Sequence, residues 1–306
     1  MIIIIPVSVM IKRMYRRGLS LTELSIQKAL ILDFDGSVEL PVVAQKIDLR
    51  RYEECIRYCA GFGDLEALWS AIKQDVSKAR INFIGSGDFH HISYLLIKNM
   101  PYNGLRVVVF DNHPDNMYFP YGIHCGSWVY HASRLPNVKS IDILGIASGD
   151  VKGINLIQNR YSSLRSGKVH YYCMSPVSWL SALLNKGQIK ALAGGSLDSF
   201  VEYLQSGDDP VYVSLDKDVL MRDFLQTTWD QGVMTESVLL QSLESIKKSI
   251  VGADICGDIS FYRYKSPLKR ILRSLDGRPY NVADTRVERQ KHMSFNMDII
   301  SLLCGS

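Results

Sequence analysis

No stretch of this 306-residue chain is apolar for long enough to span a bilayer. The most apolar segment, Met1-Ile2-Ile3-Ile4-Ile5-Pro6-Val7-Ser8-Val9-Met10-Ile11, falls well short of the ~20 residues needed and has no basic region ahead of it. Its density of β-branched residues predicts a buried strand. Cysteine is sparse: there are six, none in a C-x-x-C pair, and Cys55 and Cys59 share a helix face without implying a bond. Reduced thiols in a cytoplasmic protein fit that pattern. An excess of one charge is also missing, since 35 basic residues against 31 acidic leave only +4, too little to mark an electrostatic nucleic-acid binder. The densest basic run, Lys12-Arg13-Met14-Tyr15-Arg16-Arg17, reads as a solvated turn. No linker, repeat or low-complexity tract divides the chain, which excludes solenoids and propellers and predicts one domain over 1–306.

What the sequence does hold is alternation. From about residue 80, short apolar runs at 81–84, 106–110, 141–144, 168–172, 211–215 and 250–255 alternate with helical patterns, which predicts an α/β fold around a mostly parallel sheet. Helices are expected over 175–184 and from Thr235-Glu236 onward, where Val238, Leu239, Leu243 and Ile246 recur at helical spacing. Residues 12–80 look more helical, with candidates at 52–58 and 65–76.

Polar, metal-competent residues follow the ends of four of these strands, where open α/β sheets bind ligands. They are Gly85-Ser86-Gly87-Asp88-Phe89-His90-His91, Asp111-Asn112-His113-Pro114-Asp115, Asp216-Lys217-Asp218, and Gly257-Asp258. In extended chain, residues at i, i+2 and i+4 face one way, so Asp111, His113 and Asp115 can address one point. Four aspartates and a histidine cannot converge in a crevice without positive charge among them. Two divalent ions, bridged by carboxylates and acidifying a water, would use all these ligands, and oxygen-rich ligation with imidazole suits manganese.

In this order the motifs resemble the ureohydrolase superfamily of arginase, agmatinase and formimidoylglutamase, over about residues 80–260. Members carry Gly-Gly-Asp-His, Asp-Ala-His-x-Asp and Ser-Phe-Asp-x-Asp; here stand Gly87-Asp88-Phe89-His90, Asp111-Asn112-His113-Pro114-Asp115 and Ser214-Leu215-Asp216-Lys217-Asp218. The resemblance implies a three-layer αβα arginase/deacetylase-like fold and a binuclear manganese hydrolase cleaving a C–N bond of a guanidino or amidino compound. It implies His90, Asp111, His113, Asp115, Asp216 and Asp218 as ligands, with Asp111 and Asp216 as bridges. His124, within Gly122-Ile123-His124-Cys125-Gly126, resembles the histidine that relays protons to the leaving amine.

The chain also departs from that pattern. Phe89 is an insertion that leaves His90 and His91 competing for one ligand position. Gly257 stands where arginases have a guanidinium-gripping glutamate, so Asp258, one residue later, is expected to take the cationic end of the substrate from the cavity rim. Thr227-Thr228-Trp229-Asp230-Gln231-Gly232 replaces Gly-Thr-Gly-Thr-Pro. The His90-His91 pair can also be read as that of a zinc deacetylase of the same fold, and a non-catalytic metal-binding relative is a further alternative. Leu32-Asp33-Phe34-Asp35 looks like the nucleophile motif of haloacid dehalogenase-type phosphatases, although Ser37 stands where threonine is usual and a turn is the plainer reading. The expected partner is a small-molecule substrate, without nucleic acid or membrane; a homo-oligomer stays open.

Overall fold

The computed structural model describes residues 28–41, 44–151, 159–174, 188–192, 201–202, 204–205, 207–275, 282 and 286–305. The expected strand at 1–11, the basic run at 12–17 and the helix at 175–184 lie outside the described residues. The strands, in chain order, begin with β1 (Ala29–Asp33), β2 (Gln45–Asp48), β3 (Cys59–Ala60), β4 (Ile81–Gly85), β5 (Leu105–Phe110) and β6 (Ile123–His124). They continue with β7 (Val138–Ile146), β8 (Val169–Cys173), β9 (Ile189–Ala191), β10 (Val211–Asp216) and β11 (Ile250–Cys256). The helices are α1 (Glu53–Ile56), α2 (Phe62–Val76), α3 (Ile92–Lys98), α4 (Trp128–Ser133), α5 (Tyr161–Arg165), α6 (Glu236–Ile246), α7 (Pro267–Leu275) and α8 (Arg286–Cys304). No described helix is long and apolar enough to cross a membrane.

Nine strands form one sheet in the order β2-β1-β4-β11-β10-β5-β7-β8-β9. Every described pairing in it is parallel. The six apolar runs read from the sequence are β4, β5, β7, β8, β10 and β11, and all six residues of both β5 and β10 are buried. Alternate residues feed opposite cores, as the pleat requires. Leu30, Leu32, Val107 and Val109 join one cluster with Leu65, Leu68 and Ile72 of α2; Ala29, Ile31, Val108 and Phe110 join another with Leu239 and Leu243 of α6 and Ile299 of α8. The result is three layers, helix on sheet on helix. α6 starts at Thr235, whose side chain accepts the Val238 N–H, as the sequence pattern predicted.

Among the described residues before 80, part of the chain is strand where helix was expected. β1 and β2 extend the sheet, and β2 was illegible because Gln45-Lys46-Ile47-Asp48 is a mostly exposed edge without an apolar run. The phosphatase-like motif is structural: Asp33 ends β1 and its Oδ2 lies 2.8 Å from Lys46 Nζ and 3.1 Å from Arg50 Nη2.

Two features place chemistry at one end of the sheet. β4, β11, β10 and β5 are neighbours although β4 and β5 are successive in this part of the chain, so the chain parts there and leaves a crevice beyond the strand ends. Beside it, the antiparallel pair β3–β6 sets Cys59 opposite His124. Gly122 enters that pair at φ +116°, where a Cβ would run into the Ala60 carbonyl oxygen. We expect Gly122→Ala to cost about 3 kcal/mol or more, against about 1 kcal/mol for Gly104→Ala, which shares a positive φ but has open space around it. Urea midpoints compare the two; equal losses would show that the β3–β6 contact does not matter.

Candidate metal centre

A cavity of about 440 Å³ opens beyond these strand ends, lined by His90, Asp111, His113, Asp115, Asp216, Asp218 and His124 together with Asp150, Trp229 and Asp230. All six expected ligands and His124 thus face one space. Each arrives by a specific local device.

After β4, a short turn over Gly87–Phe89 is capped by the Ser86 side chain, which accepts the Asp88 N–H. The turn sends Phe89 into the core, stacked 4.7 Å from Phe34, and leaves His90 facing the crevice. His91, by contrast, is fully buried and does not line the cavity. The inserted phenylalanine is therefore accommodated by packing, and the adjacent histidines are split.

After β5, Asp111 Oδ1 accepts the His113 N–H at 2.7 Å. Asp115 takes a left-handed φ of 44° and is pinned by Trp128, whose Nε1 donates to its Oδ2 at 2.7 Å. After β10, Asp216 caps a turn by accepting the Asp218 N–H, and Cys256 Sγ donates to its Oδ2 at 3.1 Å. Asp218 Oδ1 accepts the Asn112 N–H at 3.1 Å, which ties the second and third motifs together.

The histidines reveal the polarity of the centre. Asp254 accepts hydrogen bonds from Ser93, Ser214 and Tyr212 at 2.9, 2.8 and 2.7 Å. With the Ser214 proton committed to Asp254, its oxygen is left to accept from His90 Nε2, 3.0 Å away. His90 Nδ1 then faces Asp115 Oδ2, Asp111 Oδ2 and Asp216 Oδ2, at 2.8, 3.2 and 3.7 Å. His113 repeats the arrangement: Nε2 sits 2.7 Å from Asp230 Oδ1, while Nδ1 faces Asp218 Oδ2 at 3.0 Å and Asp111 Oδ1 at 3.5 Å. Such backing groups fix the tautomer and direction of metal-binding imidazoles.

Two triads capable of holding an ion follow, His90–Asp111–Asp115 and Asp111–His113–Asp218, and they share Asp111; a third joins His90 and Asp216 to Cys256. Asp111 Oδ2 has no hydrogen-bond partner. Burial and neighbouring carboxylates push Asp218 well above the ordinary range, and Asp115 and Asp216 also rise. Burial opposes charge on His90 and His113, yet the facing carboxylates raise both. Two divalent cations among these atoms would relieve the same electrostatic stress, so the donor set fits such a pair.

His124 and Asp258 differ from expectation in their surroundings. His124 Nδ1 accepts the Gly126 N–H at 2.9 Å, which leaves the proton of the neutral ring on Nε2, and burial lowers its pKa to about 3. Asp258 is not on the rim: it is 1% exposed, absent from the cavity wall, and its Oδ1 accepts from Lys217 Nζ at 2.7 Å, with His292 Nδ1 at 3.3 Å. Lys217, between two expected ligands, is fully buried and requires this partner. Its charge, with His292, outweighs burial and holds Asp258 below the ordinary carboxylate range. Besides the four expected aspartate ligands, the carboxylates that line the cavity are Asp230 and Asp150, neither singled out as a site residue from the sequence. Asp254 carried a readable signal, being an aspartate inside the apolar run of β11; Asp230 carried only its place in the stretch that replaces the family's usual glycine-rich one.

The arginase family model matches residues 2–257. The chain belongs to the arginase family. Solved folds agree with that membership at low identity. An agmatine ureohydrolase of Thermoplasma volcanium is 13% identical with a TM-score of 0.52, covering 96% of this chain and 97% of its own. A putative agmatinase from Clostridium difficile is 14% identical at 0.54, covering 90% and 96%. Proclavaminate amidino hydrolase from Streptomyces clavuligerus is 14% identical at 0.50, covering 79% and 70%. An uncharacterized protein of Thermotoga maritima is 28% identical over 233 residues, 74% of this chain and 78% of its own. Within the arginase family frame, Lys217–Asp258 is a structural pair. Lys217→Met and Asp258→Asn are each expected to cost about 3–5 kcal/mol, and the double variant less than their sum. Denaturant midpoints measure all three; an Asp258→Asn protein of unchanged stability would return Asp258 to candidacy as a substrate contact.

Proposed function

We propose that the chain is a binuclear metal hydrolase that cleaves a C–N bond in a guanidino or amidino compound, with manganese as the preferred ion. The observation that carries the reading is the orientation of His90 and His113: each has its outer nitrogen held by a backing group and its inner nitrogen aimed at carboxylates that also share Asp111. His90, Asp111, Asp115 and Asp216 would hold one ion, and Asp111, His113, Asp216 and Asp218 the other. Such a pair, when bound, acidifies water and polarises the carbon to be attacked.

The protein's own groups do the rest. Asp150, on the cavity wall with its carboxylate accepting from Ser148 Oγ, is the acid we assign to the cationic end of the substrate in place of Asp258. His124 carries its proton at Nε2 and is the donor assigned to the departing amino group. Trp229 forms part of the cavity wall and is assigned to shield the reacting carbon from bulk water. The split of His90 from His91 counts against the zinc-deacetylase reading, which uses both.

Protein purified without chelator and loaded with manganese is expected to hold close to two ions per chain by mass spectrometry. Asp111→Ala is expected to lose both, and Asp230→Asn to bind about 10–100-fold more weakly through its effect on His113. Two ions retained in Asp111→Ala would remove the shared-ligand assignment.

Activity is tested with arginine, agmatine, guanidinobutyrate, guanidinopropionate, formimidoylglutamate and acetylated polyamines, scoring urea, formamide and acetate separately. Urea or formamide is expected, with His124→Asn keeping its metals while losing about 10²- to 10⁴-fold in turnover. Acetate alone would favour the deacetylase reading, and silence from fully metallated protein the non-catalytic one.

A further inference from the structure

A second cavity, of about 240 Å³, lies beside the segment that follows β11, lined in part by Thr228 and Arg273. Residues 261–273, Phe-Tyr-Arg-Tyr-Lys-Ser-Pro-Leu-Lys-Arg-Ile-Leu-Arg, contain five basic residues and no acidic one. Lys269 is used structurally, its Nζ donating to the carbonyls of Glu54, Cys55, Arg57 and Cys59 at 2.7–3.0 Å. That clamp fixes α7 against the loop carrying β3. Arg263, Arg270 and Arg273 instead line the cavity, and among the described residues none of them meets a carboxylate.

The acid nearby is already committed. Asp88 forms part of the wall, but its Oδ2 accepts from Arg57 Nε at 2.7 Å and from the Tyr264 hydroxyl at 3.2 Å, and its Oδ1 accepts from Trp229 Nε1 at 3.2 Å. The buried Arg57 offsets its charge. Three guanidinium groups around one small hollow repel one another unless an anion sits between them, and their planar forks match oxyanions with paired acceptors. Thr228 and Ser260 add small polar side chains to the wall, while Tyr262 and Tyr264 supply flat faces.

We propose that this cavity binds a small dianionic oxyanion, a phosphate or a dicarboxylate, at a site separate from the metal centre. The two sites are linked by one stacked pair. The Arg273 guanidinium lies 4.2 Å from the centre of the Trp229 ring, and Trp229 also lines the larger cavity. An anion held by Arg273 changes the field at that indole, so binding is visible in tryptophan emission without any turnover.

The test titrates the manganese-loaded full chain with inorganic phosphate at constant ionic strength, against chloride, by calorimetry and tryptophan fluorescence. One saturable site per chain is expected, with a fluorescence change. Arg263→Gln/Arg270→Gln, on exposed positions, is expected to weaken it about 10-fold or more while circular dichroism stays unchanged. Trp229→Phe is expected to lose the fluorescence response but keep the calorimetric one. Heats no different from chloride in the wild type would overturn the proposal. So would undiminished binding in the double arginine variant, which would place the phosphate at the metal centre instead.

Discussion

Four carboxylates buried at the ends of neighbouring parallel strands set the terms for the rest of this structure. Asp111, Asp115, Asp216 and Asp218 are all under one-tenth exposed, and among the described residues no lysine or arginine pairs with them. Their charge is answered from outside by backbone N–H groups, the Trp128 indole and the Cys256 thiol, and from inside by two imidazoles. Such a cluster is stable only with protons or cations among its oxygens. Ser214–Asp254 and Asp230 hold the outer nitrogen of each imidazole, so that the inner nitrogen of each faces the carboxylates.

A second set of polar interactions keeps that cluster in shape from behind. Arg57, wholly buried, joins Asp88 after β4, Glu53 in α1 and Ser260 after β11. Lys217, between two carboxylates that face the crevice, runs its ammonium to Asp258 and His292. Both cations hold loops from distant parts of the chain against one another. The charges that stabilise the frame are thus separate from those that face the cavity.

The sheet was legible because buried parallel strands must be apolar on both faces, and the acids and imidazoles that meet in the cavity were legible because a period of two behind a strand is hard to arrange by accident. What escaped depends on contacts between residues far apart in sequence. Nothing local to Gly257-Asp258 reveals that Lys217, 41 residues earlier, claims the carboxylate. Nothing local to His124 reveals that burial holds its ring neutral. β2 was missed for another reason, since an exposed edge of four residues has no pattern to read.

Gly257 sits at φ +89°, and a Cβ there would lie 2.5 Å from Asp216 Oδ1 and 2.8 Å from the Lys217 amide nitrogen. The glutamate that arginases carry at this place therefore cannot be grafted back by a single substitution. Its first carbon would displace the carboxylate it is meant to work beside. An acid at this position would require rebuilding the end of β11 together with the turn after β10.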